Sequence, residues 1–282
     1  MSVKIIVDST ADLLPETAAQ VKIVPLTIRF GDREFIDGVT IDSKMFYEML
    51  VESDELPTTS QANPGVFAEA FEEAVAAGHE VVCVTCSAKL SGTHQSAVIA
   101  AADYPGKVHV VDSRSIALGS AILIQYALEQ AEKGLNAEEI AWKLLQKREK
   151  IRLVAMLDTL EYLKKGGRIS PTVAFAGGLL NIKPVVCIED GGIKMLGKAR
   201  GSKQGNNLLV QEIRKAGGVD FGKPLLLGYT GLSDRLLQKY IADSAGLWAE
   251  YRSDLPVRAV GSVVGTHAGP GAVAVAFFEK RV

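Results

Sequence analysis

The sequence predicts a two-part α/β chain: an N-terminal α/β domain built on a parallel sheet over residues 1–155 and a C-terminal α+β domain over residues 156–282. Three observations predict it. Short unbroken apolar runs recur through the first half, each followed by small hydroxyl or acidic residues. Helical patterns lie between them, as in a doubly wound sheet. After about residue 150 the texture changes to hairpin signals and mixed elements.

The first strand is predicted at Val3–Val7, ahead of Asp8-Ser9-Thr10; the same pattern returns at Val81–Thr85, ahead of Cys86-Ser87, and at Val108–Val111, ahead of Asp112-Ser113. Runs without alternation suit strands buried on both faces. One helix is predicted from NPGVFAEAFEEAVAAG, with Asn63 as N-cap, Pro64 at the first helical position and Gly78 as the stop. A second follows Ser91, and a third spans about Ser115 to Lys133 before Gly134. Ser9 and Asp12 fit a capping box. In open parallel sheets the ligand crevice lies beyond the carboxyl ends of the strands. Ser9, Thr10, Ser87, Ser91 and Ser113 are therefore expected to converge on one rim.

In the second part, LDTLEYLKKGGR reads as an amphipathic helix that stops at Gly166-Gly167. PVVCIEDGGIKML reads as a hairpin around Asp190-Gly191-Gly192. A helix near Lys203–Ala216, a strand near Pro224–Tyr229 and a helix near Asp234–Ala245 follow. VRAVGSVVG and AVAVAFFE are expected as two strands bracketing a rigid Gly-Pro-Gly turn that carries His267.

Composition narrows the function classes. With 282 residues, 48% of them hydrophobic, the chain has material for an ample core. Its formal net charge of −2 lacks the basic surplus of a nucleic-acid binder. The N-terminal apolar run is too short for a signal peptide, and SIALGSAILIQYAL is too short and too interrupted to span a membrane. A cytoplasmic protein without membrane insertion is expected. Cys83 and Cys86 form a CxxC, but on a continuous strand rather than at a helix start, which favours a structural role. No metal-ligand spacing is present.

Familiar motifs fail on context. Gly269-Pro270-Gly271 with Ala274 matches GxGxxA, yet a strand pattern follows it where a dinucleotide site needs a helix. There is no P-loop and no GxSxG. What remains is polar and modest: Thr58, Thr59 and Ser60 ahead of one helix, Ser91 at the start of another, and His267. Hydroxyls at a helix N-terminus can receive a carboxylate, and a histidine can complete the set. Arg168 in GGRIS and Arg200 in GKARGS are either solvated surface residues or anion ligands.

Eight ordered blocks carry a resemblance over nearly the whole chain: IVDSTADLL, TTSQANPGVF, SAKLSGTHQSA, VVDSRSIALG, LDTLEYLKKGGRIS, LLNIKPVV, GKARG and HAGPGAVAVAF. Together they resemble the DegV family, the fatty acid-binding components of a bacterial fatty acid kinase system. Ala62 and Lys89 depart from the usual pattern, and neither is a site residue. The resemblance implies a lipid buried between the two domains, with Thr59 and Ser91 on the fatty acid carboxylate and His267 completing that network. It implies that Arg168 and Arg200 serve phosphoryl transfer or partner docking. A kinase partner would make the acyl phosphate for phospholipid synthesis; this chain would carry no catalytic residue, metal or cofactor beyond its bound long-chain fatty acid. A monomer is expected. The residues alone also leave open an acyl hydrolase or transferase using Ser91 with His267, or an acyl-lipid sensor.

Overall fold

The structure, a computed structural model, describes residues 2–53, 55–170, 181–251 and 254–280. Leu179 and Leu180 of the LLNIKPVV block lie outside the described residues.

Strands β1 (Val3–Asp8), β2 (Lys22–Val24), β6 (Glu80–Thr85) and β7 (Val108–Asp112) form a parallel sheet in the order β2-β1-β6-β7. The unbroken apolar runs follow from burial on both faces. On β1, Ile5 and Val7 enter one core cluster while Ile6 enters another. On β6, Val82 and Val84 face the first cluster, and Val81 and Cys83 the second. Cys83 is therefore packing material, and burial pushes its thiol well up.

A small antiparallel sheet, β4-β3-β5, consists of β3 (Thr27–Phe30), β4 (Arg33–Ile36) and β5 (Thr58–Ser60). The hydroxyl stretch expected only as a helix approach is thus an edge strand, paired Ile28↔Thr59. Helix α2 (Ser43–Glu52), capped by Asp42, and helix α3 (Pro64–Ala76), capped by Asn63 as predicted, flank it in sequence.

Helix α4 (Thr93–Ala101) follows Ser91, and helix α5 (Ala117–Glu132) occupies the interior. α5 packs on β1 and β6, and also on three strands of a larger sheet. Contact on both sides explains why its sequence is apolar nearly all round. The larger sheet has the order β10-β9-β8-β13-β11-β12. Its strands are β8 (Ile151–Met156), β9 (Ile182–Glu189), β10 (Gly192–Arg200), β11 (Leu225–Tyr229), β12 (Val257–Ala259) and β13 (Val273–Phe278). β9 and β10 form the predicted hairpin, turning through Asp190 and Gly191, both at positive φ. The chain is mixed α/β, with a parallel-sheet part and a mixed-sheet part, as the sequence predicts.

Three local expectations need correction. The LDTLEYLKKGGR helix is short, α7 (Glu161–Lys165), closing at Gly167 with Gly167 N–H on Lys164 O and Arg168 N–H on Leu163 O. In VRAVGSVVG only Val257–Ala259 is extended; Ser262–Ala268 is a helix, here α11. The remaining α-helices of the described residues are α1 (Pro15–Ala18), α6 (Ala137–Lys147), α8 (Gly201–Lys215), α9 (Arg235–Asp243) and α10 (Ala245–Trp248). The two valines favour extended backbone, but tertiary packing outweighs their weak preference. His267 therefore sits in the last turn of a helix, and Gly269 at φ 69° ends it ahead of Pro270. Ser9 and Asp12 make no capping box: Ser9 Oγ accepts from Leu26 N–H and Asp12 from Gly261 N–H.

Candidate functional site

Between α5 and the larger sheet lies an apolar slot with about 1000 Å³ of unfilled space, its open mouth included. Leu118 of α5, Leu153 of β8, and Val186 and Ile193 of the hairpin form its walls. Two small residues leave room over the sheet: Ala155 and Ala274 pair directly across β8 and β13, and both line the slot.

Polar groups gather where Thr59, Gln61, Ser91, Arg168 and His267 line the same slot. Gln61, just after β5, is tied to α4. Gln61 donates to Ser96 Oγ on α4 at 3.1 Å and lies so close to Gly92 that a Cβ there would overlap its amide. Thr59 on β5 and Ser91 at the α4 entrance both line the slot. Ser91 Oγ accepts from Thr93 N–H at 3.2 Å and shares a 2.9 Å hydrogen bond with Thr93 Oγ1.

His267 Nε2 and Thr59 Oγ1 are 2.9 Å apart. Burial, reinforced by the nearby Arg168 charge, lowers the imidazole pKa to about 4. The ring is therefore neutral at physiological pH, and the tautomer sets which partner donates. Its Nδ1 is buried without a hydrogen-bond partner, against Gly166. Arg168 is fixed by carbonyls, Nε on Leu90 O at 3.2 Å and Nη1 on Gly166 O at 2.5 Å. A hydroxyl pair, a neutral imidazole and a nearby guanidinium can hydrogen-bond an acid group while an apolar tail stays dry.

The other predicted rim residues divide. Thr10 lines the slot but spends its hydroxyl on Asp8 Oδ1 at 2.6 Å. Ser87 bonds Gly191 O, Ser113 pairs with Ser120, and Ser9 serves Leu26; all three are architectural. Arg200 does not line the slot. It ends β10 with an exposed side chain, its backbone N–H on Gln204 Oε1 at 2.9 Å. Sequence reasoning missed Gln61, which lines the slot, and Gly166, which lies against His267; the TTSQ and KKGGR contexts were the available signals. It also missed the role of Asp12, read there as a local cap.

A family profile, described as an uncharacterised protein of the DegV family, matches residues 2–280. The chain belongs to the DegV family. A DegV domain-containing protein of Caldanaerobacter subterraneus is 35% identical over 285 residues, covering 99% of each chain. A Thermus thermophilus structure, described as fatty acid binding of a DegV family protein, shares 31% identity and a TM-score of 0.88 over 99% of this chain and 100% of its own. The Streptococcus pneumoniae Fatty Acid Kinase (Fak) B3 protein loaded with linoleic acid shares 28% identity and a TM-score of 0.85, covering 99% and 100%. DegV structural neighbours thus bind fatty acids. Among the described residues of this DegV chain, no helix is long and apolar enough to cross a membrane.

Proposed function

We propose that this DegV protein encloses a long-chain fatty acid in the slot, with its carboxylate on Thr59, Ser91 and His267, and presents that carboxylate to a partner kinase for phosphorylation to an acyl phosphate. The observation that carries the reading is an apolar slot whose hydrogen-bonding groups gather at Thr59, Ser91, Arg168 and His267. Burying a tail of roughly fourteen methylenes at about 0.8 kcal/mol each contributes about 11 kcal/mol gross. That exceeds the lower range of association cost, about 4–15 kcal/mol, only where the tail is well enclosed in a preformed space.

The chain acts as a substrate-presenting subunit and performs no catalysis itself. A hydrolase built on Ser91 needs the imidazole on its hydroxyl and an acid behind the ring. Here the Ser91 hydroxyl pairs with Thr93, the imidazole with Thr59, and Nδ1 with nothing. Arg168 beside the carboxylate suits the charge that develops on phosphorylation, and exposed Arg200 suits partner docking. The reading places the protein in the cytoplasm as a monomer, with no nucleic acid partner, no membrane insertion and no cofactor.

Native mass spectrometry of the purified chain, followed by incubation with ATP and a fatty acid kinase catalytic subunit, tests this. Co-purified fatty acid that becomes acyl phosphate, with a marked loss in Ser91→Ala and His267→Ala, is the expected result. Turnover of an acyl ester by the chain alone would overturn it.

A further inference from the structure

The helix that carries His267 belongs to the C-terminal half of the sequence, yet N-terminal residues hold its first turn. Gly261 N–H donates to Asp12 Oδ1 at 2.6 Å, across 249 positions. A Cβ at 261 would stand 3.0 Å from that oxygen, so glycine allows the approach. Tyr47 Oη donates to Val260 O at 3.2 Å one residue earlier. Asp37 lies close to Ser262 and Ser9, close enough for both to hold its carboxyl pKa down against burial. Asp12 thus takes up the Gly261 N–H at the α11 entrance, which has no partner within the helix, and Asp37 lies beside it near Ser262.

The arrangement is costly for a plain structural cap. Asp12 is 5% exposed, and its Oδ2 has no partner. Ser262 Oγ, 1% exposed, also has no hydrogen-bond partner. Asp12 faces Asp37 from the loop after β4, Arg258 from β12 and Tyr47 from α2; Asp8 acts on Asp37. Burial above all, with repulsion between the acids, raises Asp12 to about 7 and Asp37 to about 6.

Geometry gives the anchor leverage. Ser262 and His267 are five residues apart, about 7.5 Å along the helix axis. A tilt of about 10° at the first turn would move the imidazole by about 1.3 Å, enough to break a normal hydrogen bond. Downstream, α11 packs on α2, β3, β5 and α7, so the displacement would be felt at the slot mouth.

We propose that Asp12, with Asp37 beside it, is a positioning residue for His267: it pins the first turn of α11 and so holds the imidazole on Thr59. The inference rests on the reading of the mouth as a carboxylate site, though it concerns the helix rather than the ligand. The test uses the full chain with 15N-labelled histidine, the His267 ring signals being assigned by their loss in His267→Gln. Asp12→Asn keeps a carbonyl acceptor for Gly261 N–H, whereas Asp12→Ala removes it. The expected result is His267 ring shifts close to native in Asp12→Asn and displaced in Asp12→Ala. The dissociation constant of cis-parinaric acid, a fluorescent fatty acid, should rise about tenfold in the alanine variant alone. If Asp12→Ala does not fold, Asp12→Ser, whose shorter side chain falls short of Gly261, replaces it with the same expectations. Unmoved His267 signals in the variant lacking the acceptor, or equal displacement in Asp12→Asn, would overturn the proposal. Failure of the unmodified protein to bind parinarate would sink the carboxylate reading, while the ring signals still decide the anchoring.

Discussion

Thr59 Oγ1 and His267 Nε2 meet at 2.9 Å although 208 positions separate them in the sequence. One sits on a three-residue edge strand and the other in the last turn of a seven-residue helix. Neither element is long enough to hold its shape in isolation. Their meeting is set by what stands behind each: Gln61 against Gly92 on one side, and Gly166 and the Asp12 anchor on the other.

Gly166→Ala should disturb the imidazole without straining the backbone. Residue 166 has φ −74°, which any amino acid adopts, but a Cβ would stand 2.2 Å from His267 Nδ1. The expected loss is about 1–3 kcal/mol of stability, read by urea denaturation, together with weaker fatty acid binding. An unchanged midpoint and unchanged affinity would mean that the ring moves aside freely.

Ala274→Leu should fill the slot. Ala274 lies opposite Ala155 on the neighbouring strand, and the space above the pair is open. Leucine there adds apolar contact in place of the acyl chain, so stability should hold or rise while co-purified fatty acid falls. Native mass spectrometry reads the occupied fraction; full occupancy with the same chain lengths would place the tail elsewhere.

Arg200→Ala should separate binding from transfer. The side chain is exposed and off the slot wall, so lipid occupancy and melting temperature should match the native protein. Acyl phosphate formation by the kinase partner should slow by at least about tenfold, the scale of a lost charged interface contact. Loss of lipid instead would assign this arginine to the carboxylate pocket.

Stability should fall as pH rises from about 4 to 7, with two signs in play. Asp12 and Asp37, raised to about 7 and about 6, keep protons in the folded state that the unfolded chain releases near 4. Their contribution is complete below that unfolded pKa and is lost as pH climbs through the folded values. His267, lowered to about 4, works the other way: its contribution is present above about 6.5 and is lost as pH falls towards 4. Asp12 alone accounts for about 4 kcal/mol at the upper limit. Asp12→Asn should flatten the fall in unfolding free energy, and His267→Gln should steepen it. Chemical denaturation across the pH series reads both slopes; identical slopes in all three proteins would count against the assigned shifts.

The sequence by itself determined the parts that depend on local pattern. Unbroken apolar runs marked β1, β6 and β7, because burial on both faces removes the need for alternation. Asn63-Pro64 and Asp190-Gly191 placed a helix start and a hairpin turn through their own backbone preferences. Four slot-lining polar residues, Thr59, Ser91, Arg168 and His267, were also legible, through residue type and block order. Only the tertiary structure decided that Ser262–Ala268 is helical, that Thr59 is a strand residue, and that Asp12 reaches Gly261 rather than Ser9. The physical reason is the same in each case. Short elements have almost no intrinsic stability, so their conformation is chosen by partners far away in the sequence, and no local window of sequence contains both sides of such a contact.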